Sequence, residues 1–163
     1  MTQEEKRIRY DRMRYTNDTL SSGLVLLAIV LDALYFVSVY QSDVSTYYYT
    51  WVIGASIIYN LLFLLIAFLA SEGVKNRKSG YTVTLIVLGL LQIVRIFYIP
   101  MKAHTTVLLI NDVEVLPMSD GKFAFTVTCL AISAVCCITA AITSFINNKT
   151  LNNYLNSLEN QSA

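Results

Sequence analysis

The sequence predicts an all-α, polytopic membrane protein: a bundle of four transmembrane helices with short cytoplasmic segments at both ends. Two observations carry that reading. Of 163 residues, 55% are hydrophobic and 14% charged, where globular chains carry roughly 25% charged residues; the mean hydropathy is +0.54. The apolar residues are also segregated. Four stretches, residues 23–40, 49–70, 81–99 and 123–146, contain only Asp32 and Arg95 among the charged side chains. A charge at the centre of a spanning helix costs about 3 kcal/mol on insertion scales, so a hydrocarbon slab imposes this kind of separation.

Each stretch is long enough for one crossing, since about 30 Å of hydrocarbon needs roughly 20 residues at 1.5 Å rise. A spanning strand would alternate apolar with polar residues, whereas GLVLLAIVLDALYFVSVY is apolar all round. The first stretch is too long for a signal-peptide core, and no small-residue cleavage site follows Tyr40. It reads as a retained anchor. The chain thus divides into a basic N-terminal segment (1–22), the transmembrane domain (23–146) and a polar tail (147–163).

Orientation comes from Lys and Arg in the short flanks. Lys6, Arg7, Arg9, Arg12 and Arg14 precede the first span, Lys75, Arg77 and Lys78 lie between the second and third, and Lys149 follows the fourth; only Lys102 and Lys122 lie on the other side. Both termini are therefore expected in the cytoplasm, in a bacterial plasma membrane. The basic residues set topology and also suit the surface of an anionic bilayer. Tyr40, Tyr47, Tyr48, Tyr49 and Trp51 at one outer boundary, with Phe97, Tyr98, Phe123 and Phe125 at the other, have the distribution of interfacial anchors.

The segments between spans are unequal. SEGVKNRKSG reads as a tight turn with Gly73 as a helix C-cap. Residues 100–122 contain two β-branched runs around Asn111-Asp112, which fit either a small external β-hairpin or a partly ordered loop at the interface. Thr2 and Glu5 have capping-box spacing ahead of a short charged helix, and Asp18 is placed to cap the first span. In the tail, Leu151, Tyr154, Leu155 and Leu158 recur at helical spacing.

Counted from the cytoplasmic end, Asp32 lies roughly 14 Å deep, Asn60 roughly 15 Å, Gln92 roughly 16 Å and Cys136 roughly 15 Å, with Arg95 one turn farther at roughly 21 Å. All four helices thus carry a polar member near one level. Asp32 and Arg95 are expected to face the bundle interior and pair, with Gln92 on the same helix face as Arg95. One reading makes Asp32, Asn60, Gln92 and Arg95 a structural clamp. The other makes Asp32 a protonatable coupling site. The fourth span carries small residues at four-residue spacing on two faces, through Ser133, Cys137 and Ala141 and through Cys136, Ala140 and Ser144. One face is expected to pack inside the bundle and the other to meet a partner subunit or a second copy.

No enzymatic activity, metal or cofactor is expected. Cys129, Cys136 and Cys137 all lie in one span without a CxxC pair, and His104 is the single histidine, so neither a disulfide redox pair nor an HExxH zinc site can be assembled. Walker, GxSxG and GxGxxG patterns do not occur. No nucleic-acid partner is expected. The sequence reading is a non-catalytic accessory or assembly subunit of a larger membrane complex, a transporter, docking through small-residue helix faces and the 100–122 loop. The alternative is a small ion- or proton-coupled homo-oligomeric transporter that uses Asp32.

Overall fold

In the computed structural model, residues 3–40, 50–105, 108–110, 113–115 and 118–162 are described. Thr2 of the expected capping box, Tyr47, Tyr48 and Tyr49 of the aromatic cluster and the Asn111-Asp112 pair lie outside them. The elements in chain order are α1 (Gln3–Tyr15), α2 (Thr19–Tyr40), α3 (Thr50–Lys75), α4 (Gly80–Tyr98), α5 (Pro100–Thr105), β1 (Leu108–Ile110), β2 (Val113–Val115) and α6 (Asp120–Ser162). Four helices are long and apolar enough to cross a membrane, within Thr19–Tyr40, Gly54–Lys75, Gly80–Thr105 and Asp120–Asn160. By length and composition the chain is an integral membrane protein.

α6 is the axis of the bundle. It packs along α2 on one side and α4 on the other, α3 lies against α2, and the seam between α3 and α4 is thinner. Small side chains let α6 approach two neighbours at once: Ser133, Cys137, Ala140, Ala141 and Ser144 are all fully buried, and Cys136 is buried with them. The face expected to be free for a partner is therefore consumed within the chain. Gly89 marks the closest approach of α4. A Cβ there would meet Ile138 Cγ1 at 2.7 Å and the Ala134 carbonyl at 3.3 Å.

Two apolar clusters fill the interior. One holds Val25, Ala28, Phe63, Ala67, Leu85 and Cys137; the other holds Tyr35, Val39, Ile99, Met118 and Leu130. On α2, Asp32 lies in sequence between them. Leucine, isoleucine and valine on the opposite faces of the four long helices are exposed, as expected of side chains that would meet hydrocarbon rather than water.

Two helix ends differ from the sequence expectation. α3 runs past Gly73 to Lys75, and no glycine has positive φ. The cap is instead Arg77, at φ 56°. Its amide donates to Val74 O at 2.9 Å while Lys78 N donates to Gly73 O at 3.0 Å, the Schellman pattern that closes a helix C-terminus. Gly73 is required for a packing reason, because the Tyr81 ring lies where its Cβ would be, 2.1 Å from Cδ2.

The tail, expected as a separate short segment, is the continuation of the fourth span. α6 has 43 residues, a length of about 65 Å. No glycine or proline after Gly121 interrupts it, and the helical spacing of the tail apolar residues continues that of the span. The short charged helix expected at the amino end is α1, which packs on the extended part of α6, with Tyr154 Oη donating to Asp11 Oδ1 at 2.8 Å and the Tyr10 and Tyr154 rings 5.3 Å apart. Between α5 and α6, β1 and β2 pair antiparallel in the register Leu108 to Val115 and Ile110 to Val113.

Asp18 ties one end of the bundle together. Its carboxylate accepts from Ser21 N at 3.3 Å and Ser21 Oγ at 2.9 Å, capping α2, and from Asn147 Nδ2 of α6 at 3.1 Å. Its own amide donates to Lys75 O at the end of α3. One turn deeper the hydroxyls of Ser22 and Ser71 are 2.8 Å apart and those of Ser21 and Thr143 are 2.9 Å apart, joining α2 to α3 and to α6.

Gly73→Ala is expected to destabilise the fold by about 1–3 kcal/mol, as overpacking does, while Arg77→Gly relieves the left-handed strain of a non-glycine residue; unfolding in mixed micelles measures both. The α1 contact should depend on pH. The hydrogen bond to Asp11 raises the Tyr154 phenol above its usual value, so the contact is fully present below pH about 10 and is lost as pH rises through the raised value. Spin-label distances between α1 and α6 should broaden only in that alkaline range, and at neutral pH in Tyr154→Phe.

Candidate functional site

Each of the four long helices contributes to one buried polar layer. From α2, Asp32 Oδ1 accepts from Arg95 Nη1 at 2.7 Å and from Gln92 Nε2 at 2.9 Å, both on α4. Gln92 and Arg95 are three residues apart and so share a face; Gln92 Oε1 accepts from Arg95 Nη1 at 3.5 Å. From α3, Asn60 Oδ1 accepts from Arg95 Nη2. From α6, Ser133 Oγ lies 3.4 Å from Gln92 Nε2 and donates to the Ala28 carbonyl of α2 at 3.1 Å. Asp32, Gln92 and Ser133 are 0% exposed, Asn60 1% and Arg95 6%.

Two aromatic rings complete the enclosure of the guanidinium. Arg95 Cζ is 4.3 Å from the centroid of Tyr35 and 4.8 Å from that of Tyr59, both within cation–π range. A planar, weakly hydrated guanidinium suits such a site better than an ammonium does, since it can stack and form its fork of hydrogen bonds together. Four polar atoms in or beside the layer have no partner among the described residues: Asp32 Oδ2, Asn60 Nδ2 and the hydroxyls of Tyr35 and Tyr59.

Asp32, Asn60, Gln92 and Arg95 thus meet at one place. Cys136, placed at this depth by the sequence, is not the α6 contributor; it packs in the apolar cluster with Ala28 and Leu88. Ser133, one turn away, takes that place because its hydroxyl can both accept from Gln92 and donate to Ala28. Tyr35 and Tyr59 were not singled out by the sequence. Their spacing to Asp32 and Asn60, at three residues and one residue, was visible, but only the positions of the helices show that both rings flank Arg95.

The seam between α3 and α4 opens into a cleft of about 260 Å³ lined by Ser56, Tyr59, Val94, Arg95 and Tyr98 among others. Arg95 therefore bridges the buried layer and a lateral opening. The basic positions Arg7, Arg9 and Arg12 lie on α1, while Lys75, Arg77 and Lys78 surround the turn after α3; none joins the layer. Lys6 and Arg14 are also on α1. His104 Nε2 is 2.9 Å from Asp120 Oδ1 and its ring is 4.3 Å from Phe123, which ties α5 to the start of α6. The three cysteines are free and buried, and no group of three metal-ligating side chains occurs among the described residues.

The fold and this layer define the class of protein: an integral membrane protein of four candidate spanning helices with an ion pair at its centre. The chain matches no protein-family model, no curated protein and no solved structure.

Removing one partner of a buried ion pair leaves an uncompensated charge, a loss of about 3–5 kcal/mol. Asp32→Leu and Arg95→Leu should each destabilise on this scale. The double variant should lose less than the sum of the two by about 1–3 kcal/mol, and reversible unfolding in mixed micelles gives the coupling. Additive losses would show that the two side chains do not interact.

Proposed function

We propose that the chain is a non-catalytic accessory or assembly subunit of a larger membrane complex, a transporter, with both termini in the cytoplasm of a bacterial plasma membrane. The observation that carries this reading is how the polar layer is used. Arg95 is bonded to residues of α2, α3 and α4 and stacked between two tyrosines, so its hydrogen-bonding capacity is directed at neighbouring helices. Asp32 is held by two donors on α4. A charge so bound serves to select helix partners and register, because any other arrangement strands it in hydrocarbon. The small-residue faces of α6 support the bundle itself, so docking to other subunits falls to segment 100–122 and to the charged helix ends.

A second reading keeps one specific observation. The α3–α4 cleft reaches Arg95, and Asp32 Oδ2 has no partner, which suits an ion- or proton-coupled homo-oligomeric transporter with Asp32 as the coupling group.

The two readings separate on one protein pair, the parent and Asp32→Asn. On the subunit reading, a mild-detergent pull-down of the tagged parent recovers a different membrane protein in stoichiometric amount, Asp32→Asn recovers less, and reconstituted vesicles of the parent show no flux. Recovery of a homo-oligomer alone, with a pH-dependent flux that Asp32→Asn abolishes without loss of fold, overturns it in favour of the second.

A further inference from the structure

A second, larger cleft lies between α4 and α6, at the end of the bundle where α4 begins. It measures about 790 Å³. Its walls change character at one level on both helices. On α6, the apolar Ile142 and Phe145 give way to Asn148, Lys149, Asn152 and Asn153; on α4, Ile86 and Val83 give way to Gly80 and Ser79. The apolar members are exposed side chains of two helices long enough to cross a membrane. The lower part of the cleft is thus open to hydrocarbon, and the upper part lies at the start of α4, where headgroups sit.

The polar end is built for a ligand in one respect that no contact within the chain explains. Asn148 is only 9% exposed, yet neither its Nδ2 nor its Oδ1 has a partner. A buried amide left in that state is costly unless something outside the chain satisfies it. Lys149 is adjacent in sequence and α4 begins beside the cleft with the positive end of its helix dipole, while the Asp18 carboxylate accepts from the neighbouring Asn147. Tyr81 N and Thr82 N already donate to Lys78 O and Ser79 O, but the Ser79 side chain makes no capping bond and a Cβ at Gly80 would meet nothing within 4 Å. The mouth is open on the α4 side.

An occupant must be anionic at one end and apolar at the other, with the change at the level of Gly80 and Asn148. A soluble anion meets only one of these demands, and a membrane lipid meets both. We propose that this cleft holds a single glycerophospholipid, its phosphate bound by Asn148, Lys149 and the Gly80 amide at the start of α4 and one acyl chain lying along Val83, Ile86, Ile142 and Phe145. Asn148 Nδ2 donates to a phosphate oxygen, and Oδ1 accepts from the headgroup hydroxyl of a lipid such as phosphatidylglycerol.

The test is a titration of the purified full-length protein, in detergent, with dioleoyl phosphatidylglycerol, read by native mass spectrometry, with inorganic phosphate in parallel. The parent should retain one lipid at activation energies that strip all others. Asn148→Leu, which removes both polar atoms, and Val83→Trp, which fills the apolar half, should each weaken that adduct by about tenfold or more, with the lipid-free protein no less stable than the parent. Val83 is exposed, so Val83→Trp and the surface change Lys149→Gln carry the test if Asn148→Leu does not fold. Equal lipid binding by the parent and the folded variants overturns the proposal and leaves surface lipid only. Binding of inorganic phosphate as tight as that of the lipid, unaffected by Val83→Trp, overturns it in favour of a free anion. A dimer whose cross-links run through Val83 and Phe145 and that excludes lipid overturns it in favour of a second copy.

Discussion

The arrangement of the bundle depends on where the charge of Arg95 can go. Arginine stays protonated under all ordinary conditions, so it cannot escape the cost of a low-dielectric interior by losing its proton. It has to be surrounded. One carboxylate, one amide from each of two helices and two aromatic faces do this. Because these groups are distributed over α2, α3 and α4, satisfying the one charge fixes three helices relative to each other. Ser133 then brings in α6 through Gln92 and the Ala28 carbonyl. Apolar packing alone would do this poorly in lipid, where hydrocarbon tails are as apolar as leucine.

Around that layer, size takes over from polarity. The hydrogen bonds can form only if the backbones lie close, and α6 makes this possible by presenting serine, cysteine and alanine to both neighbours while α4 contributes Gly89 at the tightest point. The cysteines belong to this pattern. They act as small apolar groups of the right volume. Toward the end where α1 packs, a second set of hydrogen bonds repeats the principle with hydroxyls in place of charges: Ser22 with Ser71, Ser21 with Thr143, and Asp18 with Asn147.

The two clefts have different physical origins. The one beside Arg95 lies on the α3–α4 seam, which is thinner than the packing of α6 on α2 and α4. The one beside Asn148 arises where α6 continues past the start of α4, so that the polar part of a long helix faces the first turn of a shorter one. The first cleft touches the charge that organises the bundle, and the second touches an amide that the bundle leaves unsatisfied. That difference is why the first enters the question of transport and the second that of a bound lipid.

What the sequence determined by itself was the number of spans and the depth of their polar residues. Both are one-dimensional properties: hydropathy over about 20 residues counts crossings, and a rise of 1.5 Å per residue sets depth. It put Asp32, Asn60, Gln92 and Arg95 near one level for that reason. Rotation of each helix about its own axis is not one-dimensional, and it was decided by the tertiary structure. Rotation selected Ser133 over Cys136, turned Tyr35 and Tyr59 onto the guanidinium and placed both small-residue faces of α6 inside. Helix ends were equally a tertiary matter, since Gly73 serves the Tyr81 ring rather than a cap and Arg77 takes the left-handed position. Asn148 reads in the sequence as one asparagine in a polar tail. Only its position against the first turn of α4 makes it a buried group without a partner.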